Sequence, residues 1–141
     1  MASQDLHNNV KILQGVPPVA AYTGNTAVVS NIIDMGQGDG YEALEWLINI
    51  GTLSDADASW VVTMDDGNVS NLSDAAAVDA NFILGTYALA GFTFASDNTT
   101  KKIGYVGNKR YVRLTITGTN NTGNAYFDVL AVLGFPRNPP V

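Results

Sequence analysis

Cysteine is absent from the 141 residues, and histidine occurs once. Without thiols there can be no disulfide framework, zinc-thiolate centre, iron–sulfur cluster or cysteine nucleophile, and the redox compartment stays open. The lone histidine, His7, lies in a polar opening stretch where nothing holds it still, whereas a general base needs a fixed position within reach of its proton. No G-x-S-x-G elbow accompanies it, so Ser-His-Asp chemistry has no candidate constellation. Positive charge is scarce as well: seven Lys and Arg against 13 Asp and Glu leave a formal net charge of -6. Nucleic-acid affinity is built largely from clustered cations that release counterions, so no nucleic-acid partner is expected. Long apolar runs are also missing. WLINIG and FDVLAVLGF fall well short of the ~20 residues that span hydrocarbon, so no membrane partner is expected. The opening MASQDLHNNVKILQG has neither the basic nor the apolar region of a secretory signal.

The carboxylates, glycines and aromatics that are present have ordinary structural explanations. Asp55, Asp57, Asp65 and Asp66 bracket one apolar stretch and could in principle ligate calcium or act as a glycosidase pair. DADASWVVTMDDG lacks the EF-hand spacing and its terminal Glu, so these residues read as turn formers. The glycines of MGQGDG and KIGYVGNK follow no phosphate-cradling pattern and read as turns. No catalytic residue, cofactor or metal is therefore expected. Trp46, Trp60, Tyr105, Tyr111 and Tyr126 could form a sugar platform if exposed in a row, but at alternating positions they are better explained as core or cross-strand partners. The N-x-S/T patterns at Asn68, Asn71, Asn98 and Asn120 fit loop chemistry. Lys101, Lys102, Lys109, Arg110 and Arg113 are the one basic group, read as a solvated strand face.

What the chain does contain is period-2 alternation. In RYVRLTIT, Val112, Leu114 and Ile116 alternate with Tyr111, Arg113, Thr115 and Thr117, as in a strand with one buried and one wet face. Gly107-Asn108 and Thr119 to Gly123 are turn signals on either side of it, and Ala125 to Leu133 is the next strand, so the tail reads as an antiparallel meander. Tyr41 to Leu53 contains good helix formers, yet Leu44, Trp46, Ile48 and Ile50 alternate between flanking glycines, which favours a strand. Further strands are expected at Val10 to Leu13, Asn25 to Asp34, Ala58 to Met64 (closed by Asp65-Asp66-Gly67), Phe82 to Leu84 and Gly91 to Ala95. Residues 1 to 9 read as a flexible polar arm, and 68 to 81 as a long loop with one helical turn at Asp74 to Ala77, capped by Asp74. About eight strands with turns between them predict an all-β, single-domain antiparallel β-sandwich of jelly-roll-like type over residues 1–141. Residues 1–24 would be the N-terminal arm and first strand. Residues 134–141 would be an extended Pro-rich C-terminal tail unable to continue a sheet.

DLHNNVKILQGVPPVAAYTG, WLINIGTLSDADASWVVTMDDG, and KKIGYVGNKRYVRLTIT followed by AVLGFPRNPPV resemble a family of small structural proteins of tailed bacteriophages and related prophages. In that family a D-L-x-N-N-V-K segment, a K-x-G-Y-x-G-x-K-R-Y-V-R strand pair and an A-x-L-G-x-P-R ending recur in this order, and the likeness covers nearly the whole chain. The chain departs from it at Phe135, where members often carry a histidine. The resemblance implies a head decoration, or cement, protein on the capsid exterior of the virion, assembled in the host cytoplasm. Its partners would be the major capsid protein and copies of itself, most simply as a homo-oligomer of three. The contact residues would be Leu6, Val10 and Ile12 in the arm and Phe135, Arg137 and Pro139 in the tail. The alternative is a phage tail or fibre module that binds host-surface glycans through exposed aromatics among Trp46, Trp60 and Tyr126. A hydrolase would need a pocket carboxylate pair such as Asp65 and Asp66.

Overall fold

The structure is a computed structural model that describes residues 4–36 and 40–138. In chain order it contains α1 (Leu6–Asn9), β1 (Val10–Val16), β2 (Tyr22–Thr23), β3 (Val28–Val29), β4 (Ile33–Asp34), β5 (Tyr41–Leu53) and β6 (Ser59–Gly67). There follow β7 (Ala76–Ala77), β8 (Ile83–Leu84), α2 (Tyr87–Ala90), β9 (Phe92–Thr93), β10 (Thr100–Tyr105), β11 (Tyr111–Thr119) and β12 (Asn124–Pro136), with 3-10 turns at Ala80–Phe82 and Phe94–Ser96.

The strands form two antiparallel sheets. In the first the order is β1-β12-β5-β10-β8, with β2 continuing the β1 path along β12. The second has the order β3-β11-β6-β7, with β4 also on β11 and β9 on β6. Successive long strands alternate between sheets: β5 lies in the first, β6 in the second, β10 in the first, β11 in the second and β12 in the first. This is the double-sheet arrangement of a jelly roll, and the expected all-β sandwich is observed. The expected meander is not. β10, β11 and β12 follow one another through the predicted turns, yet none pairs with its sequence neighbour. Gly107-Asn108 and the Asn120-Asn121 turn are arches from one sheet to the other, because turn residues specify a reversal but not which sheet receives the next strand.

Alternation places the core between the layers. Leu44, Trp46, Ile48 and Ile50 of β5 and Ala125, Phe127, Val129, Ala131 and Leu133 of β12 face Trp60, Val62 and Met64 of β6 and Val112, Leu114 and Ile116 of β11 in a single buried cluster. Trp60 stacks on Phe92, and Phe92 meets Phe127 edge-on, which joins the sheets with aromatic contacts. The helix propensity of residues 41–53 is overridden because a strand buries the whole Leu44 to Ile50 set on one face.

Several local expectations are corrected. Residues 6–9 form a helical turn, nucleated by Asp5, whose carboxylate accepts from the Asn8 backbone N–H at 3.0 Å. Val10 to Leu13 extends to Val16 and stops at Pro17-Pro18, which cannot donate to the ladder. Asn25 to Asp34 does run along β11, but in two pieces. Between them the Ser30 hydroxyl takes the Leu114 N–H at 2.9 Å in place of a backbone carbonyl. Asp65, Asp66 and Gly67 belong to β6 rather than to a turn, since β11 continues opposite them, with Arg113 facing Asp65 and Val112 facing Asp66.

Asp74 caps no helix. It accepts from the Asn68 and Val69 N–H groups at 2.8 and 3.2 Å, folding the loop back so that Ala76 and Ala77 pair with β6. The predicted strand at Phe82 to Leu84 shrinks to β8, and that at Gly91 to Ala95 to β9. The C-terminal segment does extend a sheet: Gly134 pairs with Val10 and Ala43, and Pro136 with Tyr41. Proline is tolerated there because it is the last ladder position.

Candidate functional site

On β12 the residues between the core positions, Leu130, Val132 and Gly134, point to the outside of the first sheet, and on β5 Ala43, Glu45 and Leu47 do the same. Register aligns them in rows. Val10, Gly134 and Ala43 lie side by side; Ile12, Val132, Glu45, Gly104 and Leu84 form the next row; and Gln14, Leu130, Leu47 and Lys102 the one after. The outer face of this sheet is therefore dominated by aliphatic side chains, with Ile12 60% and Leu84 56% exposed. On the opposite layer, Val29, Thr115 and Thr63 share a row, as do Thr117 and Val61, and Arg113 and Asp65. An antiparallel sandwich sheet normally turns polar residues to water, so the apolar face marks a surface that needs covering.

The chain ends add to this face. β1 and β12 pair at Val10 and Gly134, so α1 sits beside the end of β12. A groove of about 420 Å³ opens there between Leu6, Asn9 and Val10 on one side and Gly134, Phe135 and Pro136 on the other. Leu6 is 71% exposed and Phe135 75%. Phe135 has φ of 55°, left-handed backbone that costs a non-glycine residue roughly 1–2 kcal/mol. That strain is maintained although the aromatic side chain it presents gains little burial within the chain.

Of the six sequence-predicted contact residues, Leu6, Val10 and Phe135 meet in this groove, and Ile12 stands on the adjoining sheet face. Arg137 is exposed and does not line the groove: its backbone N–H donates to the Gly40 carbonyl at 2.9 Å and its guanidinium to the Gly36 carbonyl at 3.3 Å. Pro139 lies outside the described residues. The sheet-face residues Leu47, Leu130, Val132 and Leu84 were missed. The signal for Leu47, Leu130 and Val132 is in the sequence, because EALEWLINI and FDVLAVL are apolar at positions of both parities, which one-sided burial does not require.

Glu45 stands in the middle of the aliphatic face. Its carboxyl is pushed above the ordinary value of 4.5 chiefly by desolvation, against the opposing influence of Lys102. The predicted basic group is divided: Lys101 and Lys102 lie on β10 in the first sheet, whereas Arg113 lies on β11 in the second and pairs with Asp65 at 3.2 Å. Arg110 forms a two-pronged pair with Asp34 at 2.8 and 3.0 Å, and this holds the Asp34 carboxyl below its usual range.

Of the carboxylates considered for catalysis or metal binding, Asp55, Asp65 and Asp66 serve the fold. Asp55 accepts from the Thr122 N–H and hydroxyl at 2.7 and 2.8 Å, and hydrogen bonds from Thr122 lower its pKa. The Asp66 carboxylate accepts from the buried Tyr105 hydroxyl at 2.8 Å, which ties the two sheets together. Burial, followed by that bond, raises the Tyr105 pKa, so the hydroxyl remains a neutral donor. Among the described residues no cluster of three or more His, Cys, Asp or Glu could hold a metal ion. Trp46, Trp60 and Tyr105 are buried, Tyr111 is half-buried beneath the Arg110 guanidinium on the second sheet, and Tyr126 is 48% exposed on the first, so the set forms no exposed row. No helix among the described residues is long and apolar enough to cross a membrane. No family model matches the chain, and no curated protein matches it.

Proposed function

We propose that the protein is a non-enzymatic capsid decoration (cement) protein of a tailed bacteriophage, which binds the outer surface of the head and stabilises contacts between major capsid protein subunits. The observation that carries this reading is the continuity of the apolar outer sheet face with the groove formed by Leu6, Val10 and Phe135, where both chain ends meet. A fold alone leaves function open, since jelly rolls serve capsids, lectins and enzymes alike. A rigid acidic domain with an aliphatic outer face on its first sheet fits the cement role, because its binding free energy exists only on the assembled lattice and so favours that lattice by mass action. The same face supports self-association, and we place three copies around a symmetry axis of the shell. Of the aromatics named for a glycan-binding tail or fibre module, Trp46 and Trp60 are buried in the core and Tyr126 is half exposed.

The test uses expanded shells of the phage or prophage that encodes the chain, mixed with purified protein and sedimented. Saturable binding that raises the thermal transition of the shells, and is lost in Phe135→Asp and Leu6→Asp variants of unchanged circular dichroism, is the expected result. Absence of shell association at micromolar protein removes the proposal.

A further inference from the structure

The end of the first sheet remote from Phe135 carries a second, chemically different concavity. A groove of about 220 Å³ is lined by Pro18, Val19, Asn49, Gly51, Tyr126 and Asp128. Its size is below the roughly 300–1,000 Å³ of sites for drug-sized ligands, and fits one small ring with part of its neighbour. Tyr126 is half exposed, and Val19 is 77% exposed on the facing wall. Asn49 and Asp128 are register partners on adjacent strands, and the Asn49 amide donates to one carboxylate oxygen of Asp128 at 3.1 Å. On the other side the Thr100 hydroxyl approaches the Asn49 side-chain oxygen Oδ1 at 3.5 Å. Gly51 keeps the floor low: a Cβ there would press on the Tyr126 Cβ and carbonyl oxygen, both at 3.3 Å.

We infer that this groove is a saccharide-binding site for a neutral pyranose. Each element matches one part of such a ring. The second carboxylate oxygen of Asp128 accepts from hydroxyls, the remaining amide hydrogen of Asn49 donates to them, and the fixed Asn49–Asp128 couple presents both functions to adjacent hydroxyls. The tyrosine ring and the Val19 side chain offer apolar area to the C–H face of a sugar, an arrangement of few polar groups in an apolar setting. Asp128 and the net charge of -6 select against anionic sugars.

The site is separate from the proposed docking groove. Tyr126 and Phe135 are nine residues apart on one extended strand, roughly 30 Å at ~3.3 Å per residue. The groove lies on the same outer sheet face, one register row beyond Leu47 and Leu130, so it stays open where the contact is made through the Phe135 end.

The experiment is an amide NMR titration of the full chain with D-glucose, D-galactose and N-acetyl-D-glucosamine as separate probes. Saturable shifts confined to residues 18–20, 49–51 and 126–128, with Kd about 1 mM for at least one probe, are expected for one shallow site. Tyr126→Ala and Asp128→Asn, each checked for an unchanged spectrum elsewhere, weaken that binding about tenfold. Phe135→Asp leaves it unaltered, so failure of the docking proposal and failure of this one are read separately. No saturable shift with any probe up to about 50 mM, or binding that survives both groove substitutions, overturns the inference.

Discussion

Replacing Tyr105 by Phe removes one oxygen atom from the centre of the sandwich and keeps the ring. The hydroxyl is fully buried; it donates to the Asp66 carboxylate at 2.8 Å and accepts from the Lys109 backbone N–H at 3.1 Å. Asp66 is itself only 9% exposed and comes from the opposite sheet, so the pair ties β10 to β6. A hydrogen bond to a charged group contributes about 1.5–3 kcal/mol, and a buried acceptor left without its donor adds a desolvation cost of similar size. With partial relaxation and water entry, the loss is about 2–3 kcal/mol. Unfolding entropy of ~2.1 cal/mol/K per residue converts this to a fall in Tm of roughly 7–10 °C for a chain of this length. Urea denaturation followed by tryptophan fluorescence reads the change directly, with the midpoint lowered and the slope unaltered. Tyr111→Phe, at a half-exposed ring on the outer face of the second sheet, is the control and costs under about 0.5 kcal/mol. A Tyr105→Phe protein within about 0.5 kcal/mol of the parent would refute the inter-sheet tie.

Glu45→Gln tests the desolvated carboxyl on the aliphatic face. Because the folded-state pKa is raised, the parent is stabilised by this group below its ordinary 4.5 and loses that contribution as pH rises through the folded value. The glutamine variant is thus the more stable at pH 7 by about a few tenths of a kcal/mol after solvent screening, a gap that closes in acid and is read from paired urea curves. Gly15→Ala brings a Cβ to 2.9 Å from the Trp46 ring and 3.0 Å from the Val129 carbonyl oxygen. Overpacking of this kind costs about 1–3 kcal/mol, and a thermal melt indistinguishable from the parent would contradict the packing of β1 on β12. Arg110→Ala removes the Asp34 pair, which is part-exposed on both sides, and lowers the urea midpoint only slightly, and less still in high salt. The contribution of the lowered Asp34 carboxyl is present above 3.8 and fades as pH falls through its folded value, so the variant and parent curves converge in acid.

The strands were legible wherever one face is buried. Val112 to Ile116 alternates strictly, and in Leu44 to Ile50 every second residue is apolar, a pattern that outweighed helix-forming Glu, Ala and Leu even with Leu47 off the buried face. Partnership was not legible, because period 2 tells which face a residue takes and nothing of which strand lies beside it. Hence β10, β11 and β12 read as neighbours although they alternate between sheets. Asp74 and Ser30 show a second limit: the same short polar side chains cap helices, fold loops or replace a backbone acceptor, and tertiary contacts decide among these uses. At the candidate site, Leu6, Val10, Ile12, Phe135, Arg137 and Pro139 are the residues picked from the chain ends; the structure brings Leu6, Val10 and Phe135 into one groove with Ile12 beside it and Arg137 outside it, and Pro139 lies outside the described residues. Leu47, Leu130 and Val132 went unnoticed because apolar residues of both parities look like core until the register assigns one set to the outside.

The most direct test of the proposed role is cosedimentation of the parent protein and the Phe135→Asp variant with expanded capsid shells. The account predicts saturable binding of the parent and a loss of at least about tenfold for the variant, since an aspartate in the apolar groove must be desolvated on docking. Equal binding by both proteins, or binding by neither, would contradict it.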